Sequence, residues 1–179
     1  MSRFEERTLQ TERIYEGRIL SLRLDTVLLP NGKEGRREIV EHNGSVVVIP
    51  TDGEAVYFVN QYRHATGLTL LELPAGSVEA GEDYTVCAER ECEEETGFHP
   101  GKVTYLCEGY VSPGYTSELQ KYYLAEHLTP VTAEHDEDEF IDVVRIPWEE
   151  ALRKVDAGEF LDTKSVAGLL MAARRLGLR

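Results

Sequence analysis

Residues 73–98 read LPAGSVEAGEDYTVCAERECEEETGF, and the second half of this stretch decides how the rest of the chain is read. From about Asp83 to Thr96 the apolar residues have helical spacing, and Gly97 supplies a stop. Tyr84, Cys87, Ala88, Glu91 and Glu95 fall at i, i+3, i+4, i+7 and i+11, so one stripe begins apolar and ends in carboxylates. Glu94 flanks Glu91, and the spacing lets Glu91, Glu94 and Glu95 converge on one point. Negative charge is unfavourable there for two reasons: like charges one turn apart repel, and anions in the last turn oppose the helix dipole. At about 4 Å and an effective dielectric near 20, each carboxylate pair costs roughly 4 kcal/mol. Arg90 offsets one charge, but its Cα direction lies about 100° round the helix from Glu91. A divalent cation is the economical counter-charge. Mg²⁺ is favoured because its ligands are hard oxygens and it keeps waters that a phosphate can replace. The competing reading is a solvated helix face with no ligand.

The surrounding spacing favours the ligand. Counted from Gly76, the stretch gives a glycine, five residues, Glu82, seven residues, Arg90-Glu91, two residues, Glu94-Glu95, one residue and Gly97. This pattern resembles the signature of the Nudix hydrolases, which cleave nucleoside diphosphates linked to another moiety. Cys92 and Phe98 stand where the family pattern has aliphatic residues, and both are apolar enough to pack there. The resemblance implies an α/β class fold, an α/β/α sandwich with a mixed sheet, and Mg²⁺ or Mn²⁺ held by Glu91, Glu94 and Glu95 with the carbonyl oxygen of Ala75. It makes Glu82 and Arg90 loop supports in a mutual ion pair. Gly76 and Gly97 serve turns where a side chain would obstruct the backbone.

Other stretches resemble the ADP-ribose pyrophosphatase subgroup in the same order. They are REIVEH at 37–42, NQYR at 60–63, LELPAG at 71–76, SPGYTSE at 112–118 and DEDEFIDV at 136–143, so the resemblance spans residues 14–175. It implies that Arg63 contacts the diphosphate through a guanidinium fork matched to phosphate oxygens. Arg36 and Glu38 become adenosine-side contacts with reach to a partner subunit's site, and Gly114 and Glu118 lie near the terminal ribose. On the acidic loop AEHDEDEF, Glu139 is implied as the base that deprotonates the attacking water, with Glu137 second and Asp138 the remaining choice. Glu94 counts among the catalytic residues as well as the metal ligands. The implied reaction is Mg²⁺-dependent hydrolysis of ADP-ribose or ADP-sugars to AMP and ribose 5-phosphate, by a homodimer. The alternatives are another nucleotide sugar such as GDP-mannose, a flavin or dinucleotide, or a non-catalytic module that senses ADP-ribose.

Composition is consistent with this reading and narrows it. Nineteen Lys and Arg against 33 Asp and Glu give a net charge of -14, which excludes the phosphate-neutralising surface that nucleic-acid binding requires. No run of 18 apolar residues is present and the first residues are charged, so neither a membrane span nor a signal peptide is expected and cytoplasm is the default. Cys87, Cys92 and Cys107 are odd in number and lack metal spacing, and so read as reduced packing residues. His42, His64, His99, His127 and His135 show no HxxxH pattern. Trp148, next to Pro147, reads as packing.

Strands dominate the first 70 residues: RILSLRLDTVLL, the turn PNGKEG, REIVEH, the apolar run SVVVIP, the turn TDGE, and AVYFVNQYR. After the acidic helix, KVTYLCEGYVS, LQKYYLAEHL and EFIDVVRI read as strands, and PWEEALRKVDAG and DTKSVAGLLMAARRLG as helices. The expected division is a small N-terminal antiparallel β subdomain over 1–42, used for dimerisation, and a hydrolase domain over 43–179.

Overall fold

The computed structural model describes residues 3–132 and 140–178. The chain folds as two compact units, one of residues 1–44 with 109–120 and the other of residues 45–108 with 121–179. The first is an antiparallel meander of β1 (Arg7–Glu16), β2 (Ser21–Leu28) and β3 (Glu34–Glu41), with β2 in the middle. Its second turn follows the sequence closely: Leu29 N–H donates to Lys33 O at 2.8 Å, Asn31 Oδ1 accepts the Lys33 N–H, and Gly32 takes the φ of +79° that a side chain would resist. Asp25 and Val27 point inward from β2. The segment 109–120 joins this sheet through β3, where Val40 N–H donates to Tyr115 O and Ser117 N–H to Val40 O. Strand β1 has no counterpart in the sequence reading. All ten of its residues are exposed, so RTLQTERIYE carries no burial alternation to detect.

The second unit is built around β4 (Ser45–Pro50), where every residue is buried. Its period of two divides the core. Val46 and Val48 pack with Cys87, Ala88 and Cys92 of α1 (Tyr84–Thr96), while Val47 and Ile49 pack with Leu169, Ala172 and Ala173 of α3 (Thr163–Leu176) and Ala151 of α2 (Trp148–Asp156). Helices therefore cover both faces of the sheet, which gives the expected α/β layering. Each valine so buried contributes about 1.5–3 kcal/mol. The sheet order is β7 (Ala75–Ser77), β4, β9 (Leu119–Pro130) and β8 (Phe98–Tyr110). A second sheet runs β10 (Ile141–Pro147), β5 (Ala55–Arg63) and β6 (Leu68–Glu72).

Trp148 is buried in this core and donates Nε1–H to Thr51 Oγ1 at 3.0 Å, so the polar tip of a packing residue finds its partner. No helix among the described residues is long and apolar enough to cross a membrane.

Candidate active site

Strand β7 is three residues long, and it forms the floor of the acidic helix. Register with β4 fixes it: Val46 lies opposite Gly76 and Val47 opposite Ala75, while Pro74 O accepts the Val48 N–H at 2.8 Å. Above it, α1 begins at Asp83, whose Oδ1 caps the N–H groups of Thr85 and Val86. It ends at Gly97, with φ +73° and its N–H on Glu93 O at 2.9 Å. The last turn holds no basic residue, so nothing on that turn complements the dipole.

Glu91 and Glu95 are buried, at 8% and 3% exposure, on the face shared with Cys87, Ala88 and Cys92. Glu95 Oε2 accepts the Ala75 N–H at 3.1 Å. The Glu91 carboxylate lies directly on Gly76, where a Cβ would fall only 1.9–2.2 Å from its atoms. The expected role of Gly76 in a turn is therefore corrected. Gly76 sits in a strand, and it is glycine because a carboxylate occupies the space a side chain would need.

Arg90 also departs from expectation. Its Nη1 donates to Glu91 Oε1 at 2.7 Å and to Glu94 Oε2 at 2.8 Å, while Nε and Nη2 grip both oxygens of Glu82 at 3.0 and 3.1 Å. One guanidinium thus offsets three carboxylates instead of one. Helical geometry sets only the Cα direction, and a long planar fork folds back along the helix. The Arg90 hydrogen bonds are the largest influence on Glu82 and hold its pKa down to about 2. Burial pushes the Cys87 and Cys92 thiols up to about 12, so both are inert packing groups.

Glu91, Glu94 and Glu95 do not meet at one point. Glu91 and Glu94 meet on Arg90 and Glu95 turns to the Ala75 N–H, and among the described residues no three His, Cys, Asp or Glu side chains form a ready cation cage. The donor chemistry nevertheless fits a hard divalent cation: three carboxylates on one helix end, with Glu91 buried over Gly76, Glu95 buried on the Ala75 N–H, and Glu94 sharing Arg90 with Glu91.

Arg63 closes β5 in the same unit. Its Nε and Nη2 donate to the two oxygens of Glu72 at 2.9 and 2.8 Å, and Lys164 Nζ also donates to Glu72. Desolvation works against the charge on Glu72, but hydrogen bonds from Arg63 and Lys164 outweigh it and lower the pKa. Glu72 and Lys164 were not singled out in the sequence. The signal available was a glutamate closing the strand LTLLE, since an acid that far inside needs a partner.

Arg36, Glu38, Gly114 and Glu118, named from the resemblance, belong to the first unit. Arg36 and Glu38 are exposed on β3. Glu38, Pro113 and Gly114 line a cleft of about 310 Å³ with Glu6, Arg37 and Tyr115. Gly114 lies in a turn in which Ser112 O accepts the N–H groups of Tyr115 and Thr116. Glu118 accepts from Gln120 Nε2 at 3.5 Å. Glu137, Asp138, Glu139 and His135 lie outside the described residues.

Comparison with known proteins gives this geometry a family. The chain is 40% identical over 168 residues to an ADP-ribose pyrophosphatase of Bacillus subtilis (strain 168), covering 92% of this chain and 91% of that protein. It is 41% identical over 166 residues to a methanol dehydrogenase activator of Bacillus methanolicus, covering 91% and 90%. A crystal structure of an ADP compounds hydrolase superposes with a TM-score of 0.87 at 23% identity, over 99% of this chain and 97% of that one, which shows the shared fold. The nucleoside diphosphate sugar hydrolase N-terminal domain matches residues 6–40. The NUDIX domain matches residues 41–164, a span that holds the glutamate helix, its glycine floor and Arg63, and the chain belongs to the Nudix hydrolase family.

Proposed function

We propose that this Nudix hydrolase cleaves the diphosphate bond of ADP-ribose, or of ADP-sugars, to AMP and ribose 5-phosphate. The observation that carries the reading is 40% identity along 92% of the chain to an ADP-ribose pyrophosphatase, with the glutamates, Gly76 and Arg63 all present. In the reaction, the water oxygen bonds to one phosphorus, the P–O bond to the bridging oxygen breaks, and one proton leaves to a base. Nudix hydrolases generally use a divalent metal, and here Mg²⁺ is the proposed ion, with Mn²⁺ as substitute. Glu91, Glu94, Glu95 and the Ala75 carbonyl would hold it. When bound, such an ion polarises phosphoryl oxygens and acidifies water.

The chain's own groups do the rest. Arg63 presents donors to the diphosphate and stabilises the charge spread over its oxygens. Arg90 holds Glu91 and Glu94 together on one guanidinium nitrogen before an ion arrives. Glu139, or Glu137 or Asp138, takes the proton, and Arg36, Glu38, Gly114 and Glu118 contact the adenosine and ribose ends. The reading includes a homodimer joined through residues 1–42, a hydrolase domain over 43–179, and a cytoplasmic setting.

The test is chromatography of ADP-ribose incubated with the protein and Mg²⁺, followed by kcat/KM across ADP-ribose, GDP-mannose, a flavin nucleotide and a dinucleotide. AMP formation with ADP-ribose ranked first supports the proposal, and GDP-mannose ranked first replaces the substrate. Tight calorimetric binding of ADP-ribose without AMP release makes the chain a sensing module. Glutamate-to-glutamine changes at 137 and 139, read as kcat, identify the base.

A further inference from the structure

Four side chains running inward from Arg63 alternate in sign. Arg63 forks onto Glu72, Glu72 accepts from Lys164, and Lys164 Nζ donates to Asp162 Oδ2 at 2.9 Å. Asp162 is the N-cap of α3, accepting the Ser165 N–H at 3.1 Å. Ser165 Oγ in turn accepts the Leu73 N–H at 2.6 Å, which ties the start of α3 to the strand end carrying Glu72. Side-chain exposure falls from 39% at Arg63 to 2% at Glu72, 12% at Lys164 and 15% at Asp162. Only the first member of the series is open.

We propose that Lys164 is a positioning residue of this site: from the first turn of α3 it holds Glu72 in place, and Glu72 fixes the Arg63 fork in one orientation towards a diphosphate. The inference rests on the assignment of Arg63 to the diphosphate. A carboxylate this deeply buried needs more than one half-exposed partner to stay ionised. If Arg63 were its sole counter-ion, every shift of Arg63 towards a phosphate would leave Glu72 uncompensated. Lys164 removes that conflict. Glu72 keeps a second cation, two guanidinium nitrogens stay clamped, and Nη1 lies outside the clamp. An arginine fixed in this way loses little rotamer freedom when it meets phosphate oxygens.

The experiment has a spectroscopic arm and a kinetic arm. The Nε–H resonance of Arg63, assigned by its loss in Arg63→Lys, is expected to exchange slowly with solvent in the wild-type protein and rapidly in Lys164→Met. Lys164→Arg restores slow exchange. In kinetics, Lys164→Met raises KM for ADP-ribose about tenfold with a smaller change in kcat, because a misaimed binding group loses ground-state and transition-state contact alike. In an Arg63→Met background the same substitution adds nothing. The double variant Glu72→Gln/Lys164→Met removes the buried charges together and controls for unfolding, and it retains the raised KM. An unchanged Arg63 resonance in Lys164→Met overturns the inference, as do fully additive costs with Arg63→Met. The spectroscopic arm needs no turnover, so it stands even if ADP-ribose is not the substrate.

Discussion

Two charge clusters in the second unit are built on opposite principles. Around Arg90, one cation serves Glu82, Glu91 and Glu94, with Glu95 in the same last turn. Around Glu72, two cations and two anions alternate, Arg63 and Lys164 against Glu72 and Asp162. In the first, three carboxylates share one guanidinium among the described ion pairs, and a site so rich in carboxylates lowers its energy by taking up a cation. The second is balanced and hydrogen-bonded from end to end, so it gains nothing from a further ion and serves to fix geometry.

Glu91→Gln removes one anion from the unbalanced cluster and is expected to lower kcat/KM for ADP-ribose by about 10²–10³-fold. The same change should leave the melting temperature in EDTA undiminished, because the glutamine relieves repulsion on Arg90's cluster of anions. A large loss of stability in EDTA would mean that Glu91 is a structural anion. Gly76→Ala comes next. The new methyl displaces the Glu91 carboxylate, whose flexible end yields before the strand does, so activity is expected to fall about a hundredfold with little change in melting. Gly97→Ala is its control: the left-handed cap resists a side chain and costs about 1 kcal/mol of stability, while kcat is retained.

Acid titration probes the Arg90 cluster directly. The folded pKa of Glu82, about 2, lies below its ordinary value of 4.5, so its ion pair stabilises fully above 4.5. That contribution is lost as pH falls towards 2. Denaturation midpoints followed between pH 5 and 2 should decline less steeply in Glu82→Gln than in the wild-type chain. The smallest effect concerns the thiols. Cys87 and Cys92, pushed up to about 12 by burial, should stay unlabelled by iodoacetamide at pH 8 in the native protein and react on addition of urea, as mass spectrometry would show.

Legibility in the sequence followed burial and spacing. SVVVIP was readable as a buried strand because it is apolar throughout, and β4 spans it residue for residue. The helix ended at Thr96, with Gly97 in the left-handed cap expected of it. Strand β1 was illegible because its ten exposed residues carry no inward face. The short strands β6 and β7 carry too few residues for alternation to show: β6 has five and closes a hairpin on β5, and β7 has three and pairs with the distant β4. Within the site, the glutamates stood out because their charge contradicts the helix that carries them. Lys164 did not, since a lysine in the first turn of a helix is ordinary until Glu72 lies beside it.

Local sequence suffices for the helix, its caps, the crowding of carboxylates at its end, and the spacing that places the chain in its family. All of these depend on residues close to one another along the chain. Packing of distant elements is what makes Gly76 yield its side-chain space to Glu91, folds Arg90 back over three anions, and stands Lys164 behind Glu72 across 92 residues of chain. Long side chains place their charges several ångströms from their own backbone, and which charges meet there depends on how the strands and helices pack.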